Sequence, residues 1–199
     1  MTTEMPTLET ERLTIRPFVL ADLEVAHRVL SDAWDIPREE QAAHLAERER
    51  WLRWTVANYQ ELAALAQPPY GDRAVVQKED GRLVGSAGLV PAMGPFGRLS
   101  GFPANRGSRH MYPEVGLFWA VDPAYQGRGY ATEAGRALIE YAFGELSLGR
   151  IVATTEYANV RSVAVMRKLG MRILRNPRPD PEWFQVVGLL EADDRGQRT

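Results

Sequence analysis

The residues best suited to chemistry form a short glycine-rich segment, Gln-Gly-Arg-Gly-Tyr-Ala, at positions 126 to 131. An apolar run from Val115 to Val121 precedes this segment, and a helical pattern begins at Thr132. Where a strand passes through glycines into a helix, backbone N–H groups point outward at the positive end of the helix dipole, and such loops bind phosphate. The segment therefore predicts a site for a phosphate-bearing cofactor. A simple tight turn is the alternative that two glycines alone leave open.

Two common nucleotide-binding loops fit this segment poorly. A P-loop requires a Gly-Lys pair, and the chain contains none. A dinucleotide fingerprint requires a third glycine or alanine where Thr132 stands, at the first strand-to-helix turn of the chain. The segment instead lies past mid-chain, after a predicted antiparallel hairpin. A nucleotide-binding α/β protein is therefore a weak alternative that depends on Gly127 and Gly129 alone.

The composition excludes several other kinds of site. Cysteine is absent and the three histidines (His27, His44 and His110) lie far apart, so we expect no disulfide, no Cys nucleophile and no metal site. A net charge of -2 argues against a nucleic-acid binder. No stretch approaches about 18 apolar residues, and the first residues lack a secretion signal. The sequence predicts a cytoplasmic protein without membrane contact, folded as one domain over residues 1–199, with a flexible tail from about 192 to 199.

Hydrophobic periodicity and turn residues predict the order of the elements. The predicted strands are Leu13–Phe18, Arg73–Lys78, Leu83–Val90, Val115–Val121, Arg150–Thr155, Met171–Arg175 and Phe184–Leu190. The predicted helices are Asp22–Leu30, Arg38–Ala66 (as two helices or one bent helix), Thr132–Glu145 and Asn159–Leu169. Asp80 and Gly81 indicate a hairpin between the second and third strands. This order predicts a single mixed α/β (α+β) domain, with about seven mostly antiparallel strands and about four helices.

Three blocks of the sequence, in this order along the chain, carry a family resemblance. Gln126, Gly129 and Ala131 have the spacing (R/Q)xxGx(G/A). Residues 159–171 have the form NxxSxxVxxKxGM, and residues 8–17 read LETERLTIRP. The first two blocks resemble motifs A and B of the GNAT superfamily of N-acetyltransferases, and the third is similar to the start of its RimJ/RimL-like members.

The resemblance implies that acetyl-CoA is the co-substrate. Its pyrophosphate is expected on the loop amides, and its pantetheine arm between two splayed parallel strands, Val115–Val121 and Arg150–Thr155. Asn159 is expected both to cap its helix and to contact the CoA arm. The implied cofactor-binding residues are Trp119, Ala120, Val121, Gln126, Gly127, Arg128, Gly129, Tyr130, Ala131, Thr132, Asn159 and Ser162.

The implied reaction is direct attack of an amine on the thioester in a ternary complex. Glu114, at the start of a strand, is the first candidate for the general base, with a solvent-exposed structural carboxylate as the alternative and Glu182 as second candidate. Many family members carry a tyrosine at the position of Met166, and a thioether donates no proton. Ser162, Tyr157 or solvent is then left to protonate the thiolate.

The acceptor side is much less defined by the sequence. Pro91–Pro113 carries several basic residues and no acid, and a solvated surface segment is favoured over an anion-attracting flap. Trp34, Trp51 and Trp54 are candidates to line an acceptor pocket, although a core position is favoured for the last two. The expected partner is an amine-bearing small molecule or a peptide or protein N-terminus, and a homodimer is one option for the assembly. A catalytically weak domain that senses acyl-CoA is the alternative function.

Overall fold

The computed structural model describes residues 4–102 and 110–192. These residues form eight strands: β1 Leu8–Glu9, β2 Leu13–Pro17, β3 Gly71–Gln77, β4 Leu83–Gly94, β5 Tyr112–Val121, β6 Arg150–Thr155, β7 Arg172–Arg175 and β8 Val186–Glu191. The four α-helices are α1 Leu23–Ala33, α2 Arg38–Ala64, α3 Tyr130–Gly144 and α4 Val160–Lys168. Single 3-10 turns lie at Leu20–Asp22, Phe96–Arg98, Pro123–Tyr125 and Glu182–Phe184.

The predicted order of elements and the mixed α/β class are confirmed, with one strand more than predicted. The additional strand, β1, has two residues and pairs with β2, so it is too short to give a periodic signal. The strand order is β1-β2-β3-β4-β5-β6-β8-β7, and β5 and β6 form a parallel pair. The second predicted helix is one continuous helix of 27 residues.

The chain divides into two compact units. The first contains the described residues up to Leu89 together with Phe118–Leu138. The second contains Val90–Leu117 and the described residues from Ile139 onward. Strands β4 and β5 and helix α3 contribute residues to both units.

The first unit packs α1 and α2 on the strands β2, β3 and β4. Helix α1 buries the apolar side chains of Ala26, Val29 and Leu30. The buried side of α2 carries residues at spacings of three and four: Arg48, Leu52, Thr55, Tyr59 and Leu62. Both helices thereby cover the core that includes Phe18, Leu52, Ala74 and Leu83.

The predicted hairpin joins β3 to β4, and glycines allow β4 to approach its neighbours. Gly81 has φ +71, which a turn of this kind requires and glycine adopts freely. A Cβ on Gly85 would lie 2.4 Å from the carbonyl oxygen of Ala120, so only glycine permits this approach. The amide of Asp122 then donates to the carbonyl of Val84 at 2.9 Å. The end of β5 is therefore held directly against β4.

The segment Pro91–Pro113 differs from the prediction in its first half. Strand β4 continues to Gly94, and Phe96, Leu99 and Phe102 are buried in the core of the second unit with Phe184. A solvated surface segment is therefore wrong for residues 91–102, because three apolar side chains at a spacing of three pack inward. Arg106 and Arg109 lie outside the described residues, and so does the predicted tail from 193 on. Ala192, the first residue of the predicted tail, is described, and its amide donates to the carbonyl of Gly149 at 3.0 Å.

Candidate functional site

The glycine-rich segment forms an ordered connection between β5 and α3. Asp122 caps the 3-10 turn that follows β5, because its carboxylate accepts from the amide of Ala124 at 2.9 Å. The side-chain amide of Gln126 donates to the carbonyl of Val121 at 2.9 Å. The chain therefore turns back toward the end of β5 before it reaches the glycines, and the hydrogen bond of Gln126 closes this turn.

The glycines leave the outer face of the loop open. Gly127 and Gly129 have φ +77 and +86, and both are exposed. A Cβ on Gly127 would meet nothing within 4 Å. Helix α3 begins at Tyr130, and the amide of Glu133 makes a helical hydrogen bond to the carbonyl of Gly129 at 3.0 Å. The N–H groups of the preceding residues have no acceptor within the helix, as at any helix start, and therefore suit an anion.

The side chains of the loop contribute less than its backbone. Tyr130 and Thr132 are buried, at 6% and 8% exposure, so only their backbone groups can face outward. Arg128 lies over the ring of Tyr125 at 5.1 Å and donates to the carbonyl of Ala124 at 3.2 Å. Its guanidinium therefore adds positive charge at the loop. These residues fit a pyrophosphate through amides first and through charge second.

Trp119, Ala120 and Val121 form the end of β5 in the same unit. Ala120 and Val121 are buried, and Trp119 is half-buried. What this strand end can offer a ligand is thus its backbone N–H and C=O groups. The predicted contact of these groups with pantetheine stays a prediction.

In the second unit, Glu114 on β5 forms a close ion pair with Arg150 on β6. Arg150 donates through Nε to one carboxylate oxygen at 2.8 Å and through Nη2 to the other at 2.5 Å. The Glu114 side chain is 6% exposed, so the alternative of a solvent-exposed strand-start carboxylate is wrong. The two residues face each other because β5 and β6 run parallel with Gly116 opposite Val152. No local sequence pattern predicts this ion pair, since it depends on the register of the two strands.

Helix α4 begins with the predicted cap. The side-chain oxygen of Asn159 accepts from the amide of Ser162 at 3.0 Å, and the Ser162 side chain is half-buried. Met166 is fully buried, with its sulfur 3.1 Å from where a Cβ on Gly188 would lie. Met166 therefore fills the core between α4 and β8, and the position offers no proton donor.

The two remaining candidates for proton transfer have different surroundings. The Tyr157 hydroxyl donates to the carbonyl of Asn176. The Arg175 guanidinium lies over the Tyr157 ring, 5.2 Å from its centre. That hydroxyl is therefore engaged with the protein's own backbone. Glu182 is exposed and begins the 3-10 turn before β8.

Two tryptophans of the first unit lie against a buried arginine. Arg48 lies over the rings of Trp34 at 4.6 Å and Trp51 at 5.3 Å, and it is 8% exposed. Trp51 contacts Phe18 edge-on at 5.3 Å, which confirms its core position. Trp54 is 59% exposed, so a core position is wrong for it. Trp54 lies outside the row of buried residues on α2, which includes Leu52 and Thr55.

A carboxyl group lies beneath this cluster on β3. Burial, the largest influence, raises the pKa of Asp72 to about 6, although a hydrogen bond from Trp51 and the charge of Arg48 oppose the rise. Burial also lowers the pKa of Arg48. Asp72 is thus a group of the first unit that titrates near neutral pH, and the sequence alone gave no reason to select it.

The structure places the predicted site residues in two groups. Trp119–Val121 and the loop 126–132 belong to the first unit, and Glu114, Asn159 and Ser162 belong to the second. Among the described residues, no group of three or more His, Asp or Glu side chains could hold a metal ion. Within the same residues, no helix has the length and apolar character needed to cross a membrane.

Known proteins resemble this chain over most of its length. The family described as "Acetyltransferase (GNAT) domain" matches residues 12–172. The uncharacterized N-acetyltransferase YnaD of Bacillus subtilis is 29% identical over 169 residues, which are 83% of this chain and 82% of that protein. An acetyltransferase of Agrobacterium tumefaciens superposes with a TM-score of 0.65 at 26% identity, over 96% of this chain and 97% of that one. The ribosomal L7/L12 acetyltransferase RimL, solved with coenzyme A, shares the fold at 13% identity and a TM-score of 0.62, over 92% and 96% of the two chains.

The family match covers most of the chain, and the chain therefore belongs to the GNAT acetyltransferase family. It is an N-acetyltransferase by this membership, and the family uses acetyl-CoA. The open loop and the amides at the start of α3 fit the pyrophosphate of that co-substrate.

Replacing Gly129 by aspartate tests the assignment of the loop. A carboxylate at this exposed position would add negative charge beside the N–H groups at the start of α3, so we expect the Kd for CoA to rise about 100-fold or more, as measured by titration calorimetry. Gly81→Asp is the control for backbone strain, because Gly81 also has a positive φ. A Cβ on Gly81 would meet nothing within 4 Å, whereas a Cβ on Gly129 would lie 3.5 Å from Nη2 of Arg12. Gly81→Asp should cost about 1 kcal/mol of stability without changing the affinity for CoA. Wild-type affinity in Gly129→Asp would contradict the assignment.

Replacing Asp72 by asparagine tests the buried carboxyl. Its pKa of about 6 lies above the ordinary 3.8, so the folded state keeps a proton that the unfolded chain has lost. This contribution to stability is present below about pH 4 and is lost as the pH rises through 6. From pH 4 to 7, the free energy of unfolding of the wild type should therefore fall by about 1–3 kcal/mol relative to that of Asp72→Asn in urea titrations. A difference that does not change with pH would contradict the assignment.

Proposed function

We propose that this protein transfers the acetyl group of acetyl-CoA directly to a primary amine while both substrates are bound. The observation that carries this proposal is the exposed loop of Gly127 and Gly129 at the start of α3, together with the family membership. Bound acetyl-CoA supplies the activated acyl group as a thioester. The protein's task is then to hold the donor, position the amine and move protons.

The proposed donor contacts follow the surroundings of each residue. The amides from Gly127 to Thr132 bind the pyrophosphate, because the first turn of a helix presents N–H groups at the positive end of its dipole. Backbone groups of Trp119, Ala120 and Val121 hold the pantetheine amides and polarise the thioester oxygen. Asn159 uses its oxygen for the cap of α4, so its amide nitrogen is the part that can serve the CoA arm.

Glu114 is the proposed proton acceptor for the incoming amine. Its two oxygens accept from Arg150, and each oxygen keeps a further lone pair that can take the proton of the amine. Arg150 meanwhile fixes the orientation of the carboxylate. Ser162 is the proposed proton donor to the departing sulfur, since Met166 has no proton to give.

The acceptor is proposed to be an amine-bearing small molecule or a peptide N-terminus, in a protein of RimJ/RimL type. The exposed Trp34 and Trp54 supply aromatic surface in the first unit, although neither identifies one amine. Cytoplasmic location and a homodimeric assembly stay predictions from the sequence.

A panel of amines with acetyl-CoA tests the function. Release of the CoA thiol should be detected with at least one member of a panel of polyamines, amino acids, aminoglycosides and peptides with free N-termini. The product should be an amide by mass spectrometry. Binding of NAD or ATP without binding of acetyl-CoA in calorimetry would contradict the proposal.

An acyl-CoA sensor without turnover is the second candidate. Two observations favour it: Met166 is buried where many relatives carry a tyrosine, and Glu114 is engaged by Arg150. The same panel separates the two functions. Tight binding of CoA in calorimetry with no thiol release on any amine would favour the sensor.

Replacing Glu114 by glutamine tests its role as the base. The amide cannot take up a proton, so we expect kcat to fall about 100-fold and the acidic limb of the pH–rate profile to disappear. Glu191→Gln is the control, because Glu191 also pairs with an arginine of the second unit, Arg172, at 3.4 Å. A wild-type kcat and pH profile in Glu114→Gln, with reduced thermal stability alone, would make the ion pair structural.

A further inference from the structure

The turn between β1 and β2 contacts the first turn of α3 through one carboxylate. The hydroxyl of Thr10 donates to Oε1 of Glu133 at 2.6 Å, and the amide of Arg12 donates to the same oxygen at 2.9 Å. The guanidinium of Arg12 serves the other oxygen, through Nε at 2.7 Å and Nη2 at 2.5 Å. Both oxygens of Glu133 are therefore held by a turn that lies 121 residues earlier in the chain.

Arg12 also reaches the backbone of the glycine loop. Its Nη1 donates to the carbonyl of Arg128 at 3.0 Å, and its guanidinium lies 4.8 Å from the centre of the Tyr130 ring. In a trans peptide, the C=O and the next N–H point in opposite directions. Holding the Arg128 carbonyl toward Arg12 therefore directs the N–H of Gly129 away from Arg12.

The turn that carries these side chains is itself fastened. The backbone amide of Lys78, directly after β3, donates to the carbonyl of Arg12 at 2.9 Å. Its side chain donates to the carbonyl of Thr10 at 2.5 Å. The amide of Leu13 donates to the Thr10 hydroxyl at 2.9 Å. The hydroxyl's own proton has two acceptors within reach, Oε1 of Glu133 at 2.6 Å and the carbonyl of Leu13 at 3.1 Å. The glycine loop is thus braced, through this turn, against strand β3 of the sheet.

The charge of Glu133 matters because of its position. Burial acts to raise the pKa of Glu133, but hydrogen bonds from Thr10 and from Arg12 outweigh burial and hold the pKa below its usual range. A charged carboxylate therefore stands in the first turn of α3, at the helix end that suits a ligand anion. Without its partner, this carboxylate would repel that anion, and Arg12 offsets the charge.

We propose that Arg12 is a positioning residue for the donor: with Thr10 and Glu133 it fixes the direction of the Gly129 amide and neutralises the start of α3. In this role Arg12 acts on the pyrophosphate through the loop, without a direct contact of its own. The inference rests on the proposed function, because it requires that the loop binds the pyrophosphate of CoA.

Three variants and one control separate this role from simple structural support. Arg12→Gln removes the charge and the paired donors, and Arg12→Lys keeps the charge but cannot serve both partners in one plane. Arg12→Gln combined with Glu133→Gln removes the carboxylate as well. Arg16→Gln is the control, because Arg16 lies on β2 and pairs with both oxygens of Asp22 at 2.8 Å, at the start of α1. It loses an equivalent ion pair without touching the loop residues.

The readout is the Kd of the whole protein for CoA and for 3′-dephospho-CoA by calorimetry, after thermal unfolding has shown that each variant folds. We expect Arg12→Gln to weaken both ligands about tenfold, since both keep the pyrophosphate, and Arg16→Gln to change neither. The double variant should regain about threefold, because the unpaired carboxylate is gone. A structural role would make the double variant as weak as the single variant or weaker.

Each contrary result overturns a stated part. Wild-type affinity in Arg12→Gln overturns the inference and leaves the proposed function intact. A loss for CoA that disappears with 3′-dephospho-CoA, or no recovery in the double variant, also overturns the inference. A wild-type protein that binds neither ligand overturns the proposed function and the inference with it. If Arg12→Gln does not fold, Arg12→Lys is measured instead, and unchanged affinity in that variant overturns the proposed positioning of the Gly129 amide.

Discussion

The start of α3 imposes the constraint on which the candidate donor site depends. A helix that begins directly after a short loop leaves its first N–H groups without acceptors, and such groups are costly unless water or a ligand satisfies them. Here the loop keeps these groups at the surface, because Gly127 and Gly129 take positive φ angles and carry no side chain. Gln126 satisfies the carbonyl of Val121 at the strand end, and Asp122 satisfies the amide of Ala124 in the turn that follows. The amides of the helix start are thereby left for an anion.

The charges around the start of α3 affect both the stability of the helix and its capacity to bind an anion. Glu133, an acid in the first turn, stabilises the helix by interacting with its dipole, but it competes with a bound anion for the same positive end. The contacts from Thr10 and Arg12 satisfy the acid without filling the outer face of the loop. A short turn of two strands near the beginning of the chain thus bears on the donor site, although none of its residues belongs to the loop.

The second unit shows how packing changes the chemical meaning of a residue. Glu114 looked like an exposed strand-start carboxylate or a base, and in the structure it is buried in a bidentate contact with Arg150. Met166 stands at the position for which the family resemblance implied a proton donor, and in this chain it fills the core. Both residues lie on elements that were predicted correctly. Their surroundings, which decide what chemistry they can do, come from strand register and from helix packing.

The sequence by itself determined the elements that carry the candidate donor site, because short-range signals delimit them. Two glycines between a strand and a helix, the cap at Asn159 and the hairpin at Gly81 are all short-range signals, and each element they delimit is found within a few residues. The short strand β1 was not predicted, since two residues are too few to show a periodic pattern. Only the tertiary structure decided that Phe96, Leu99 and Phe102 pack inward, that Arg150 meets Glu114 and that Arg12 braces the loop. These contacts join residues far apart in the chain, and their geometry follows from register and packing, which no local pattern encodes.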